Sequence, residues 1–252
     1  MVTHTGEELW AADMSQADPR VIRFAGQRGD DRFNDGPCAA ARLANTHGVA
    51  LLPGGSLVVA DYSANALVLV TDPAGPACAV SYYAGTSEAL DPVPSDVPNQ
   101  GDVDGPGATA RFRGVKWPVA DEQGAVYVVD EANQMVRGGG AAFPPVQPGR
   151  SPILASIASN GTHLYVSGSG YIWKLQLDGA LSLVAGTGLQ VDFPPDGYDP
   201  LAEHPALELA LKLNIGQGAI QGTTSFMTYE AGALYWTGIN QVGYYVEKIT
   251  CE

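Results

Sequence analysis

The sequence predicts an all-β protein built from tandem four-stranded antiparallel sheets. Three observations support this fold class. A block covering residues 35–61 recurs, in register, as residues 104–130. Short apolar runs alternate with turns rich in Gly, Pro and Asp, and Gly and Pro make up about a fifth of the chain. Only one segment has the composition of a good helix. A duplicated unit with strand-length apolar runs is typical of repeat architectures.

The repeat holds a constant offset of 69 residues over the whole block. Its two copies share an Asp-Gly-Pro start, an Ala-Arg pair followed by Leu or Phe, and a strand that ends in Asp. The matching charged positions are Asp35 and Asp104, Arg42 and Arg111, and Asp61 and Asp130. The common offset indicates that both copies fold into the same unit.

The strands follow in order along the chain. The chain starts within a unit, because residues 9–13 match residues 57–61 and nothing before them supplies a first strand. Residues 21–26 form the next predicted strand. The following unit has four predicted strands, at 48–52, 57–60, 66–71 and 79–84, and each is closed by a Gly/Pro/Asp turn.

The later units repeat this organisation less regularly. The next unit has predicted strands at 117–121, 125–130 and 133–137, and a further unit has them at 153–158, 164–167, 171–177 and 181–185. An insertion near residues 201–214 contains the one predicted helix, 205–213, with Pro205 at its first position. The last strands are predicted at 226–229, 234–237 and 244–250.

Tandem four-stranded meanders are what the blades of a β-propeller require, because each blade buries one face against its neighbour. About four to five blades can be recognised. Either the chain closes a ring, with residues 21–26 completing the last blade, or it is a piece of a larger ring. The piece is favoured, because residues 9–13 are surplus in the closed version. The whole chain, residues 1–252, is predicted to be a single propeller domain with an incomplete first blade.

The repeated residues resemble the NHL-repeat family of β-propellers, and the match is sharp over residues 24–137. The first set of matching residues is Ala25-Gly26, Asp35-Gly36, Ala41-Arg42-Leu43, Gly48-Val49-Ala50, Val58-Val59-Ala60-Asp61 and Asn65. The second set is Ala84-Gly85, Asp104-Gly105, Ala110-Arg111-Phe112 and Tyr127-Val128-Val129-Asp130. Lys116-Trp117-Pro118 departs from the pattern. The resemblance implies a six-bladed ring, and propellers of related shape include zinc lyases and calcium lactonases.

The charge balance excludes some classes of function. The chain has 13 Lys and Arg against 27 Asp and Glu, a formal net charge of −14. A chain this acidic is repelled by phosphate backbones and anionic lipids, so a general nucleic-acid or membrane-surface role is not expected. No apolar run approaches the length of a membrane helix.

The three cysteines, Cys38, Cys78 and Cys251, are too few and too scattered for a disulfide framework. One pair can form in an oxidising compartment, but the sequence does not select it, and three ordinary small side chains are the favoured interpretation. The first ten residues lack the features of a signal peptide. The resemblance and the acidity nevertheless indicate an extracellular or periplasmic protein.

Two interpretations apply to the repeated charged residues. They either line the mouth of a channel and bind a polar ligand, or they hold the same corner in each blade. The structural interpretation is favoured, because catalytic residues seldom recur in every repeat. Arg42 and Arg111 are accordingly predicted to grip nearby carboxylates with their rigid guanidinium forks. The candidate ligand-binding residues are His47, Asp35, Asp61, Asp104 and Asp130.

Metal binding is weakly indicated. Asp102 and Asp104 with Gly105 resemble the opening of a calcium loop, but the late Glu is missing, since Phe112 takes its place. Only His47, of four histidines, lies at the mouth of a predicted first strand, and a zinc site needs three protein ligands. A non-catalytic binding or scaffold module, with a protein or small polar ligand at the channel face, is therefore the predicted function. A lyase or lactonase with an axial metal is the alternative.

Overall fold

The structure is a computed structural model. It describes residues 2–4, 6–15, 17–18, 20–29, 32–73, 75–85, 100–138, 141–143, 154–168, 171–185, 227–240 and 243–250. Every regular element within these residues is a β-strand, so the all-β prediction is confirmed. The predicted helix at 205–213 lies outside the described residues. The chain divides into two compact units, residues 1–142 and residues 143–252, and each is described by itself.

The first unit contains three antiparallel sheets. The first sheet has the order β1-β2-β3 and consists of β1 (Val2–His4), β2 (Glu8–Ala12) and β3 (Val21–Gly26). The second sheet has the order β4-β8-β7-β6-β5. Its strands are β4 (Gly36–Pro37), β5 (Thr46–Leu51), β6 (Leu57–Asp61), β7 (Ala66–Thr71) and β8 (Ala79–Ala84). The third sheet has the order β12-β11-β10-β9. Its strands are β9 (Val115–Ala120), β10 (Val126–Asp130), β11 (Met135–Gly138) and β12 (Ala141–Phe143).

The described residues of the second unit form two sheets of the same kind. One is a four-stranded meander of β13 (Leu154–Ser159), β14 (His163–Gly168), β15 (Tyr171–Gln176) and β16 (Leu181–Ala185). The other consists of β17 (Met227–Glu230), β18 (Ala233–Asn240) and β19 (Gly243–Thr250). Consecutive strands pair with each other throughout both sheets, as expected for propeller blades.

The 69-residue repeat is visible in the hydrogen bonds of the second and third sheets. The isolated bridge between Asn34 and Arg42 recurs between Val103 and Arg111. Asn65 and Gln134, which are also 69 residues apart, both adopt positive φ, at 50° and 58°. The two copies therefore share backbone geometry at these positions as well as sequence.

Buried second strands hold the sheets of the first unit together. All five residues of β6 are buried, and its side chains alternate between two clusters. Leu57 and Val59 pack with Leu9 of the first sheet, whereas Val58 packs with Val115 of the third. Burial of each such side chain contributes about 1.5–3 kcal/mol. The second sheet is thus sandwiched between its neighbours, as a blade must be.

One predicted alignment is wrong. Residues 9–13 were expected to match the second strand at 57–61, but β2 corresponds to the third strand, β7. The register between β2 and β3 shifts at Leu9/Trp10, and the register between β7 and β8 shifts in the same way at Leu67/Val68. Second and third strands are both short and apolar, so their composition does not distinguish them.

The structure also corrects the interpretation of two cysteines. Cys38 and Cys78 form a disulfide with a Cα–Cα distance of 5.4 Å. It ties the corner that follows β4 to the start of β8, where the backbone N–H of Cys38 also donates to the carbonyl of Cys78 at 3.0 Å. The partners come together only because β4 pairs with β8 across 40 residues of chain. Cys251 lies outside the described residues.

Candidate functional site

The candidate site lies where the first strands of the second and third sheets pack together. Its five residues, here called the first-strand cluster, are His47, Tyr62, Lys116, Trp117 and Glu131. β5 carries His47 and packs against β9, which carries Lys116 and Trp117. Tyr62 directly follows β6, and Glu131 directly follows β10. All five belong to the first compact unit. One predicted ligand-binding residue, His47, therefore lies within this cluster.

Three rings form one wall of the first-strand cluster. The His47 and Tyr62 rings are 4.9 Å apart between centroids. The His47 and Trp117 rings are 6.3 Å apart and nearly perpendicular, at 73°. His47 and Tyr62 are half-buried, whereas Trp117 is buried, with 8% of its surface exposed. These rings present an aromatic surface that is accessible on the His47 and Tyr62 side.

Charged groups of the first-strand cluster lie against the Tyr62 ring. The Lys116 Nζ donates to the Glu131 carboxylate at 2.7 Å and lies 5.0 Å from the centre of the Tyr62 ring. Burial, together with the charge and hydrogen bonding of the Glu131 carboxylate, raises the pKa of Tyr62 above its ordinary value. The Tyr62 hydroxyl is therefore a hydrogen-bond donor at neutral pH. The cluster thus combines an aromatic face, an ammonium group, a carboxylate and a hydroxyl.

Trp117 has a backbone conformation that is costly for a bulky residue. Its φ is 52°, in the left-handed region, whereas its counterpart 69 residues earlier is Gly48, with φ 120°. A side chain in this region costs on the order of 1–2 kcal/mol. A Cβ built on Gly48 would lie 3.0 Å from the Trp117 ring, so a glycine there makes room for that ring. The strain and the missing side chain both serve to place the indole in this cluster.

Asp61 and Asp130 are buried at the ends of β6 and β10, beneath the first-strand cluster. The Asp61 carboxylate accepts hydrogen bonds from the backbone N–H groups of Ala44 (2.7 Å), Asn45 (3.0 Å) and Ala64 (3.1 Å). Burial raises its pKa above the ordinary aspartate value, although these bonds oppose the shift. Asp61 therefore fixes the chain that leads into β5 and the turn that contains Tyr62.

Asp130 performs the same task in the third sheet with different partners. Its carboxylate accepts from the backbone N–H of Arg113 at 2.8 Å, the counterpart of Ala44, and from the Asn133 side-chain amide at 2.9 Å. Arg137 donates to it at 3.3 Å. Burial raises the pKa of Asp130, and the hydrogen bonds and the guanidinium charge oppose that shift.

Arg137 is the arginine that grips carboxylates, and it replaces an apolar residue of the preceding repeat. Its counterpart is Val68. The Arg137 side chain is 4% exposed and pairs with Asp130, with Asp102 at 3.4 Å and with Asp104. Its guanidinium also donates to the Arg111 carbonyl at 2.6 Å and lies 5.0 Å from the Phe112 ring. One buried cation thus ties three carboxylates to the outer corner of the third sheet.

This finding corrects the predicted role of Arg111. Its guanidinium donates to the carbonyl oxygens of Thr109 and Ala110, at 3.0 and 3.1 Å. Within the described part of the chain it forms no ion pair with a carboxylate, so the predicted pairing is wrong for this residue. Arg42 is half-buried, and its backbone pairs with Asn34. Its carboxylate partner stays a prediction.

The remaining predicted ligand-binding residues lie on the sheet corners. Asp35 is exposed on the corner that precedes β5, and Asp104 is half-exposed on the equivalent corner. The suggested calcium loop has the Arg137 guanidinium at the point where its carboxylates converge. Among the described residues, no three His, Cys, Asp or Glu side chains are arranged to hold a metal ion. Calcium binding at this corner is therefore not supported by its geometry.

Four residues of the first-strand cluster were not predicted as site residues, although the repeat contains a signal for them. At an offset of 69, His47 corresponds to Lys116, Tyr62 to Glu131 and Gly48 to Trp117. The members of each pair occupy equivalent places in the two sheets, yet their side-chain chemistry differs, and at Gly48 and Trp117 the backbone φ differs too. Residues that keep the repeat, such as Asp61 and Asp130, hold the backbone. Residues that differ between the repeats, as in these three pairs, give each copy of the surface different chemical groups.

The fold and its stacked meander sheets define a protein of β-propeller type. No protein-family model matches the sequence. No curated protein matches it significantly. Among solved structures, it is similar to a protein of unknown function from Bacteroides thetaiotaomicron, with a TM-score of 0.50 and 10% identity over 98% of this chain and 56% of that one.

Two further similar structures have named activities of their own. Virginiamycin B lyase from Staphylococcus aureus has a TM-score of 0.47 and 9% identity over 98% of this chain and 64% of the lyase. An auxiliary nutrient binding protein from Bacteroides ovatus has a TM-score of 0.45 and 13% identity over 96% of this chain and 53% of that protein. At these identities the likeness concerns the fold alone. The chain spans about half to two thirds of the length of these structures.

The described residues contain no helix with the length and apolar character needed to cross a membrane.

Proposed function

We propose that this protein is a non-catalytic binding module of the NHL-repeat propeller type, and that the first-strand cluster is its ligand site. One observation carries this proposal. The two repeats share their four-stranded meander, but their side chains differ at three neighbouring positions, where His47, Tyr62 and Gly48 are replaced by Lys116, Glu131 and Trp117, and the backbone φ differs as well between Gly48 and Trp117. The scaffold does not require these differences. A strained bulky residue is a recognised marker of a functional site.

The chemistry of the cluster favours a small polar ligand with a flat apolar face. The His47 and Tyr62 rings supply a surface on which such a ring can stack. The Lys116–Glu131 pair supplies both donors and an acceptor at the edge of that surface. Asp61 and Asp130 take no part in contact with the ligand in this proposal. They hold the backbone that carries the contacting side chains.

The disulfide supports an extracellular or periplasmic location. Disulfides persist in oxidising compartments and are rare in reducing ones. Cys38 and Cys78 close a corner of the second sheet, and this disulfide needs an oxidising environment in order to form. Labelling of free thiols in protein isolated without reductant tests this part of the proposal. Quantitative labelling of both cysteines in native protein would contradict it.

A thermal-shift screen tests the binding proposal. Monosaccharides, disaccharides and free amino acids are titrated into the protein, and each compound that raises Tm is measured by calorimetry. His47→Ala and Glu131→Gln are expected to weaken binding about tenfold each, because each removes one wall or edge of the cluster. His163→Ala is the matched control, since His163 is a half-buried histidine at the start of β14 in the other unit.

An equal loss with His163→Ala and His47→Ala would contradict the proposed site. The alternative function, a lyase or lactonase with an axial metal, predicts a different result. Elemental analysis of the protein would then find stoichiometric zinc or calcium, and His47→Ala would release it.

A further inference from the structure

A second surface, separate from the first-strand cluster, lies at the outer edge of the first sheet. A cavity of about 920 Å³ separates β3 from the corner of the second sheet. Ile22 and Phe24, which alternate along β3, line one side of it. The other side is formed by prolines and the disulfide, namely Pro37, Pro76 and the Cys38–Cys78 pair. This volume is typical of ligand pockets, and its walls are mainly apolar.

The backbone of β3 is available beside this cavity. The order β1-β2-β3 leaves β3 at the edge of its sheet, and no described strand pairs with its outer side. Two large apolar side chains on it are exposed, Val21 at 56% and Ile22 at 64%. An edge strand offers a row of unpaired N–H and C=O groups to another extended chain. Because apolar residues are exposed at this edge, its pairing with another chain removes apolar surface from water and is favourable.

The second sheet demonstrates that this fold accepts an added strand at the equivalent place. β8 corresponds to β3, because an Ala-Gly pair closes both, at residues 25–26 and 84–85, and both pair with the preceding strand through the same register shift. The short strand β4 pairs with the outer side of β8, matching Gly36 to Val80 and Pro37 to Ala79. An extended segment therefore already occupies, on β8, the position at which no described strand pairs with β3.

The charges of β3 define the chemistry of its partner. Arg20, Arg23 and Arg28 lie within residues 20–29, a stretch without a carboxylate in a chain of net charge −14. All three are exposed, and Arg23 shares its charge with Glu8 of β2 at 3.2 Å. Arg23 is the one of the three that lies on β3, with Arg20 just before the strand and Arg28 just after it. Side chains on adjacent strands lie roughly 4.5–5.5 Å apart, so an added strand lies directly beside Arg23. Carboxylates on that strand are the matching groups, although two aspartates, Asp13 and Asp18, also line the cavity.

We infer that β3 binds an extended acidic peptide by strand addition, with one apolar side chain of the peptide inserted into the adjacent cavity. Main-chain hydrogen bonds supply affinity in this mode of recognition, and side-chain pockets supply specificity. The arginines select the charge of the peptide, and Ile22 and Phe24 receive its apolar residue. This inference stands independently of the proposed ligand site, because it uses a different sheet and different residues.

The test uses a fluorescein-labelled synthetic hexapeptide of alternating Glu and Val with one Phe, and fluorescence anisotropy as the readout. The Glu peptide is expected to bind the full chain at least about tenfold more tightly than its Lys counterpart. Ile22→Asn is expected to weaken binding about tenfold, because it places an amide in the cavity. Leu181→Asn is the matched control, since Leu181 is 41% exposed on β16, the outer strand of another sheet.

Two N-methylated peptides test strand addition on the unaltered protein. In one, alternate residues are methylated along the first edge, and in the other, along the opposite edge. Only one of the two is expected to lose binding, because a strand adds through a single edge. Equal binding of both, an equal loss with Leu181→Asn, or no binding at about 1 mM peptide would each overturn the inference. His47→Ala is expected to leave peptide binding unchanged, which separates this result from the proposed ligand site.

Discussion

Arg137→Met is expected to be among the most destabilising single changes in the third sheet of this protein. Arg137 is 4% exposed at its side chain, and its partner Asp130 is fully buried. Removing one member of a buried ion pair leaves the other charge uncompensated and costs about 3–5 kcal/mol. Asp102 and Asp104 are half-exposed, so their pairs with Arg137 add little. Asp130 keeps the Arg113 N–H and the Asn133 amide, which places the expected cost near 3 kcal/mol.

Arg111→Met provides the matched control for this change. Within the described residues, the Arg111 guanidinium donates to two neighbouring carbonyl groups and pairs with no carboxylate, so its loss is expected to cost under about 1 kcal/mol. The free energy of unfolding is measured for both variants by urea denaturation at pH 7. The double variant Arg137→Met, Asp130→Asn is expected to recover part of the loss, because no charge is then stranded. The apolar Val68 at the equivalent place indicates that the site tolerates such a side chain.

The pH dependence of the Arg137→Met effect gives a second measurement. Burial already raises the pKa of Asp130, and losing the guanidinium raises it further. The folded variant therefore holds a proton on Asp130 more tightly than the unfolded chain does, and its stability increases as pH falls through that raised pKa. The difference from the unaltered protein is expected to shrink on acidification. Equal costs for Arg111→Met and Arg137→Met, or a difference that grows on acidification, would refute this reasoning.

Three further predictions concern the same unit. Asp61→Asn is expected to cost about 1–3 kcal/mol at pH 7, because the new amide turns a donor toward backbone N–H groups. Since burial raises the Asp61 pKa, the unaltered protein gains stability as pH falls through that pKa, whereas the asparagine variant does not. The difference between their free energies of unfolding, measured by urea titration, is therefore expected to widen on acidification. Gly48→Ala is expected to lower Tm more than Gly54→Ala, because both have positive φ but, of the two, Gly48 is crowded, by Trp117 and the Pro118 ring. Replacing the disulfide by Cys38→Ser with Cys78→Ser should cost roughly 4 kcal/mol in urea, from the 40-residue separation.

A contrary result for any of these three changes would have a specific structural meaning. A gap for Asp61→Asn that narrows on acidification would indicate that its hydrogen bonds, and not its burial, dominate the pKa. Equal Tm losses for Gly48→Ala and Gly54→Ala would mean that the crowding near Trp117 is relieved by side-chain movement. An unchanged urea midpoint after removal of the disulfide would mean that β4 is held in place by its pairing with β8 alone.

The sequence by itself determined the fold class and the position of the repeat. Strand length, turn composition and a constant offset are local or periodic properties of the sequence, and they do not depend on tertiary contacts. The aspartates that end β6 and β10 were also recognisable, because each repeat needs the same backbone support at the same place. The rank of β2 within its blade was not, since second and third strands have the same apolar composition.

Only the tertiary structure decided which side chains meet. Arg111 carries the repeated motif, but Arg137 reaches the carboxylates, because its strand lies beside Asp130 and faces the corner that holds Asp104. Cys38 and Cys78 pair because β4 crosses to β8. His47 meets Trp117 because the first strands of two sheets pack together. Such partners come from distant segments, and their proximity depends on register and sheet stacking, which residue composition alone does not encode.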